Sequence, residues 1–274
     1  LMATLLPLTL VFVLIVTTIS NIIFAYGVSA AKDATHWEAT QVADQFSGRL
    51  DEMRGLLEVV SQSLADIDHG RAEAPGKAER ILMRLLEADK AFQSTWLAFE
   101  PDAFQNKRHV YKTLLRTQDG IQKINDITPE KLADPKLAPW YHNALSTRKI
   151  YLELAETYDY GLGGGPRVAA TMTAPIMAGD RAIGAVGIDI NYSELITSLN
   201  LHSDKRWQAL LLSGGGDVLY ASDPDHSRSN LFSLPLSYQD ASKAVINRSK
   251  HHLAEEPDPY SDSASLASLY PHSW

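Results

Sequence analysis

The chain contains no cysteine, so disulfides, thiolate zinc sites and cysteine nucleophiles are all excluded. Positive charge is also short. Against 33 Asp and Glu stand 25 Lys and Arg, a formal charge of −8. That balance argues against a nucleic-acid partner, which usually shows a basic face, and does not repel small cations. Catalytic signatures are missing as well. The run Gly161 to Gly165 is not followed by the Gly-Lys-Ser/Thr of a phosphate loop and reads as a hairpin or pocket-rim loop. His251-His252 stands without an HExxH pattern, and the serine near Gly214 lacks the G-x-S-x-G elbow. No enzyme active site, metal or cofactor is expected within this chain.

Charge is absent from a further place, and there its absence carries meaning. From Leu1 to Ala31 no residue is charged, and Leu5 to Phe24 is dominated by Leu, Val, Ile and Phe. About 20 apolar residues at 1.5 Å each span a bilayer core. Val28-Ser29-Ala30 resembles a signal-peptide cleavage site, but the apolar run exceeds the usual length of such a signal. An uncleaved transmembrane anchor over 1–31 is therefore expected. The chain begins at Leu1, so the cytoplasmic lead-in that would set orientation is expected to lie outside it.

Beyond the anchor the chain is strongly patterned. With hydrophobic residues at 45% and charged ones at 21%, the remainder should fold around apolar cores. Trp37, Val42, Phe46, Leu50, Met53, Leu57, Val60 and Leu64 recur every three to five residues, which predicts a long amphipathic helix. Gly70 to Gly76, with Pro75, breaks it, and Ala78 to Lys90 reads as a second helix. Strands are expected at Thr95–Phe99, Val110–Arg116 and Ile150–Leu154. A further antiparallel pair, Arg167–Ile176 and Ala182–Ile190, is joined at Ala178-Gly179-Asp180. Pro139 opens a short helix, and Tyr192–Leu199 forms another. A smaller unit then reads as a hairpin, Trp207–Leu212 and Asp217–Ala221, a helix Ser237–Arg248 and a strand Ser265–Tyr270. The fold class is α+β. The tail, with one strand wanting, reads as cut short.

Aromatic and acidic residues gather around the first set of strands. Trp140 and Tyr141 stand at a helix start, Tyr158-Asp159-Tyr160 precedes the glycine loop, and Asp189 ends an apolar strand. A carboxylate following Ala182–Ile188 is costly to bury unpaired. It either caps the helix that begins near Asn191 or faces a ligand. The aromatics either pack in the core or wall a pocket. Together, aromatic faces and two acids suit an ammonium group.

These residues resemble the double Cache (dCache) extracytoplasmic sensor domains of bacterial chemoreceptors and sensor kinases. The resemblance rests on Ala98-Phe99-Glu100-Pro101-Asp102-Ala103-Phe104, Pro139-Trp140-Tyr141, Glu156-Thr157-Tyr158-Asp159-Tyr160, Thr173-Ala174-Pro175-Ile176 and Gly184-Ala185-Val186-Gly187-Ile188-Asp189-Ile190, in that order. It implies a long helix backing two PAS-like antiparallel-sheet modules. They would divide the chain into an anchor (1–31), long and connecting helices (32–90), a membrane-distal ligand-binding module (91–200) and an incomplete membrane-proximal one (201–274). In family members that bind amino acids, an Arg before the Trp-Tyr pair grips the carboxylate, and acids at positions like Asp159 and Asp189 grip the amine. Ala138-Pro139 stand in place of that Arg. Family acids also fall two residues after the Tyr, so either Tyr160 takes that position or the loop is shifted. An amine is the expected ligand, with amino acids the alternative if Arg148, Lys149 or Arg167 substitutes.

The implied function is small-molecule sensing on the periplasmic side of the inner membrane, for a transmembrane receptor that dimerises through the long helix. A methyl-accepting chemotaxis receptor is the first reading. A histidine kinase, a diguanylate cyclase or an anchored binding module without signalling output are alternatives.

Overall fold

The computed structural model describes residues 2–68, 70–103, 110–158, 167–199, 207–212, 218–221 and 266–271; within these, the side chains of 2–14, 31–40, 154–158 and 266–271, among others, lie outside the description. The glycine loop, the expected helix at Ser237–Arg248 and His251-His252 fall outside the described residues.

Helix α1 runs from Met2 to Ala65 without interruption, about 96 Å at 1.5 Å per residue. Its C-terminal third buries Phe46, Met53, Leu57, Val60 and Leu64, part of the stripe that the three-to-five-residue spacing predicts. Its earlier part differs. Ile15, Ile19, Ile22, Ile23, Phe24 and Tyr26 are all at least half exposed. Among the described residues no helix is long and apolar enough to cross a membrane, and much of the anchor expected over 1–31 lies among side chains outside the description.

Helix α2 spans Ala74–Ala88, beginning earlier than the sequence pattern suggests. Pro75 sits in its first turn, where its missing N–H costs no hydrogen bond. Strand β1 comes next (Phe92–Phe99), then β2 (Val110–Thr117) and β3 (Gly120–Ile124). Two short helices, α3 (Pro129–Ala133) and α4 (Pro139–Thr147), lead to β4 (Tyr151–Tyr158), β5 (Arg167–Ala178) and β6 (Arg181–Ile190). Helix α5 covers Tyr192–Ser198. Two elements, β3 and α3, arise within what reads in sequence as a polar connection.

These six strands form one antiparallel sheet in the order β3-β2-β1-β6-β5-β4. The β5–β6 turn is Gly179-Asp180, with Gly179 at φ 61°, a left-handed conformation that glycine adopts without steric cost. One face of the sheet packs against α1 and α2 through Leu97, Phe99, Leu114, Met172, Ala174, Ile176, Val186 and Ile188. Pro175 is tolerated in β5 because β4 begins at Tyr151, opposite Thr173, and does not extend alongside Pro175. The Pro175 carbonyl accepts a hydrogen bond from Ser61 of α1 at 2.6 Å.

A second antiparallel sheet, in the order β8-β7-β9, joins β7 (Trp207–Leu212), β8 (Val218–Ala221) and β9 (Leu266–Pro271). The α+β class agrees with the sequence reading, which offers five of the six strands of this sheet and lacks β3. Of the second unit, only this small sheet lies within the described residues.

Candidate functional site

Alternation along the strands determines what the other face of the large sheet presents, because successive side chains point to opposite sides. Ser94, Trp96 and Ala98 of β1 point away from α1 and α2. Opposite them in register stand Asp189, Gly187 and Ala185 of β6, and beyond these Thr171 and Thr173 of β5. Helix α4 and the end of α3 cover this face with a small cluster of Trp96, Ile127, Leu132, Trp140 and Tyr141.

Asp189 lies on this face and is 2% exposed. Its Oδ1 accepts from the Thr171 hydroxyl at 2.8 Å, and its Oδ2 accepts from Ser94. The alternative that Asp189 caps α5 is overturned. Asn191 is the cap, its side-chain oxygen accepting from the amides of Ser193 and Glu194. Asp189 lies still within β6, two residues short of the capping position, and its side chain turns into the sheet face.

The aromatic residues are buried and close together. Trp140 and Tyr141 are 2% and 3% exposed. The rings of Trp96 and Trp140 meet at 4.3 Å with a 59° tilt, and Tyr141 stands edge-on to Trp140 at 6.1 Å. Lys131 lies over the Trp140 ring, 5.8 Å from its centre. The Tyr141 hydroxyl donates to Glu100; burial, reinforced by that bond, pushes its phenol well above the ordinary value, so it remains a neutral donor. Gly187 is a steric requirement. A Cβ there would lie 2.1 Å from the Trp96 ring, so only glycine lets the indole lie across β6.

Several polar atoms on this face are buried and lack a hydrogen-bond partner among the described residues: the Trp140 indole N–H and the hydroxyls of Thr113 and Thr173. Each such group is costly unless something completes it. A face that combines indole rings, a buried carboxylate and unfilled donors is suited to a small polar ligand with an apolar body.

Of the other expected site residues, Tyr158 ends β4, opposite Arg167 in register, with its side chain outside the description. Asp159 and Tyr160 lie outside the described residues altogether. Arg148 and Lys149 do not join Asp189. They line a groove of about 620 Å³ between α1 and β5, together with Arg54 and Glu58, on the opposite side of the sheet. Arg148 caps α4 in the left-handed region at φ 58°, and the chain there turns so that Ile150 packs on the α1 side. The substitution of either cation for the absent carboxylate-gripping Arg is therefore not supported by their position.

Ser94, Thr171, Thr173, Thr113 and Trp96 are absent from the sequence reading of the site. A signal for two of them does exist. Thr171 and Thr173 are hydroxyl residues two apart in an otherwise apolar strand, a period-two stripe that marks one face.

Residues 78–197 match the family model of the methyl-accepting chemotaxis protein-like, first PDC sensor domain. No curated protein matches the chain in sequence. Among solved structures, one described as methyl-accepting chemotaxis protein X is 21% identical, over 79% of this chain and 82% of its own, with a TM-score of 0.62. The periplasmic sensory domain of the Campylobacter jejuni chemoreceptor Tlp1 is 16% identical, over 78% and 81%, with a TM-score of 0.56. The ligand-binding domain of the Pseudomonas aeruginosa PAO1 amino acid chemoreceptor PctB, in complex with L-Arg, is 23% identical over 73% and 74%, with a TM-score of 0.51. At these identities the likeness is one of fold, and that fold is the Cache-type sensor fold to which the sequence motifs point.

Proposed function

Taking residues 78–197 as a chemoreceptor-like PDC sensor domain, we propose that this chain senses a small molecule outside the cytoplasm for a transmembrane signalling receptor, a methyl-accepting chemotaxis receptor in the first reading. The ligand is an amine or amino acid held in the membrane-distal module by Trp140, Tyr141, Tyr158, Asp159, Tyr160 and Asp189. The observation that carries this reading is Asp189: a buried carboxylate on the same sheet face as two stacked indoles. A cation placed there gains charge-assisted hydrogen bonds and an aromatic surface together. The amino acid in the PctB complex has the same ammonium group, which supports the amine half of the reading.

The exposed Ile15, Ile19, Ile22, Ile23 and Phe24 support a membrane anchor over 1–31 that continues into the sensor as one helix. Dimerisation through α1, with 91–200 as distal and 201–274 as proximal module, completes the arrangement.

A thermal-shift screen of the full chain against amines, amino acids and carboxylates tests the reading. A bound ligand at 100 times its Kd should stabilise by about 2.7 kcal/mol. Asp189→Ala should abolish the shift while the protein still melts cooperatively. If only carboxylates lacking an amine stabilise the chain, the cationic reading is wrong.

A further inference from the structure

The groove of about 620 Å³ between α1 and β5 lies apart from the face that holds Asp189. It opens because β4 begins only at Tyr151, opposite Thr173, and so does not cover β5 from Ala174 onward. Its volume falls within the range of small-molecule sites. Ile150, Ala174, Pro175 and Met177 give it an apolar lining, and α1 contributes Arg54, Glu58 and Ser61.

The charges along this groove are uneven. Arg54 pairs with Glu58 at 3.4 Å, which leaves Arg148 and Lys149 facing one other acid of the lining, Asp66. Both cations are exposed, and neither forms an ion pair among the described residues. Arg148 also stands where its residue type is costly. It ends α4 at φ 58°, its amide donating to the Ala144 carbonyl at 2.9 Å. Among the described residues no other non-glycine residue has a positive φ. Glycine takes that conformation without steric cost, so an arginine there goes against the backbone's preference. Such outliers gather where a side chain is put to use.

We infer that this groove is a second ligand site, for a small aliphatic carboxylate gripped by Arg148 and Lys149, with its chain on Ile150, Ala174 and Met177. The guanidinium fork matches the two oxygens of a carboxylate, and the chain gains by leaving water. A cation is repelled by the same two side chains. This site goes beyond the amine-sensing reading and does not rest on it. Ser61 and the Pro175 carbonyl it bonds at 2.6 Å both line the groove, so its ligand touches the joint between the long helix and the sheet.

Titration calorimetry on the full chain in detergent micelles, with hexanoate, hexanamide and hexylamine as probes, tests this. Hexanoate should bind about tenfold more tightly than hexanamide, the scale of one hydrogen bond to a charged group. Arg148→Gly should remove that advantage while the melting temperature holds or rises, because glycine relieves the left-handed backbone. Lys149→Gln should weaken hexanoate in the same direction. Asp189→Ala should leave hexanoate binding unchanged, which separates this site from the amine site. Equal affinity for the acid and its amide overturns the inference, as does undiminished hexanoate binding in Arg148→Gly. Loss of hexanoate binding in a folded Asp189→Ala protein also overturns it, since the carboxylate would then lie on the other face of the sheet.

Discussion

Gly187 illustrates how much of the site depends on single atoms. Trp96 lies across it so closely that a methyl group would overlap the indole. Gly187→Ala should force Trp96 off Trp140 and cost about 1–3 kcal/mol, the usual range for overpacking a filled site. Urea melts read the stability, and a changed tryptophan emission reads the displaced stack. An unchanged spectrum and midpoint would mean that the indole lies elsewhere. From sequence, Gly187 is legible only as one glycine of an apolar strand, since no local pattern announces which side chain will cross it. Asp189 is different. A carboxylate at the end of Ala182–Ile188 interrupts the strand's own hydrophobicity, so the sequence alone makes it conspicuous. Its partners Ser94 and Thr171 lie 95 and 18 residues away, and only register brings them together.

At the level of elements, α2 is tied to the edge of the sheet by Glu79. Its carboxylate receives Lys112 of β2 at 2.7 Å and is also paired with Lys123 of β3. Hydrogen bonds from the two lysines hold its pKa below the usual carboxyl value of 4.5. A depressed folded-state pKa means that the stabilisation is complete above that usual value and is lost as pH falls through the lowered one. Glu79→Gln should therefore cost up to about 1 kcal/mol at neutral pH, as expected for partly exposed pairs, and nothing in strong acid. Urea melts at both conditions measure the difference, and a penalty that persists in acid would show the tie not to be electrostatic. Strong periodicity makes α1, α2, β5 and β6 legible in sequence. The edge strand β3, Gly-Ile-Gln-Lys-Ile, is short and solvent-facing, and therefore carries little hydrophobic signal. Helix α3 does leave a trace. Thr128 accepts from the Lys131 amide, and Pro129 comes directly after it, a cap-and-proline start set in a stretch that otherwise reads as a loop.

For the whole molecule, the exposed face of α1 between Ile15 and Tyr26 predicts association with lipid. The full chain should float with phospholipid vesicles, and Ile19→Asp combined with Ile23→Asp should release it, since each charge near a bilayer centre costs about 2.5–3.5 kcal/mol. Recovery of the parent chain in the aqueous fraction would overturn the anchor. The Ser61 hydroxyl, bonded to the Pro175 carbonyl, gives that helix a fulcrum. Strand β5 carries Thr171 and Thr173 on the face that also holds Asp189 and, two residues on, this attachment to α1. From Ser61 back to Met2 the helix extends about 88 Å at 1.5 Å per residue. By leverage alone, a tilt of roughly one degree at Ser61 displaces the far end by about 1.5 Å, the rise of one residue. A small movement of β5 at this attachment would thereby be magnified along the helix to the scale of a side-chain repacking.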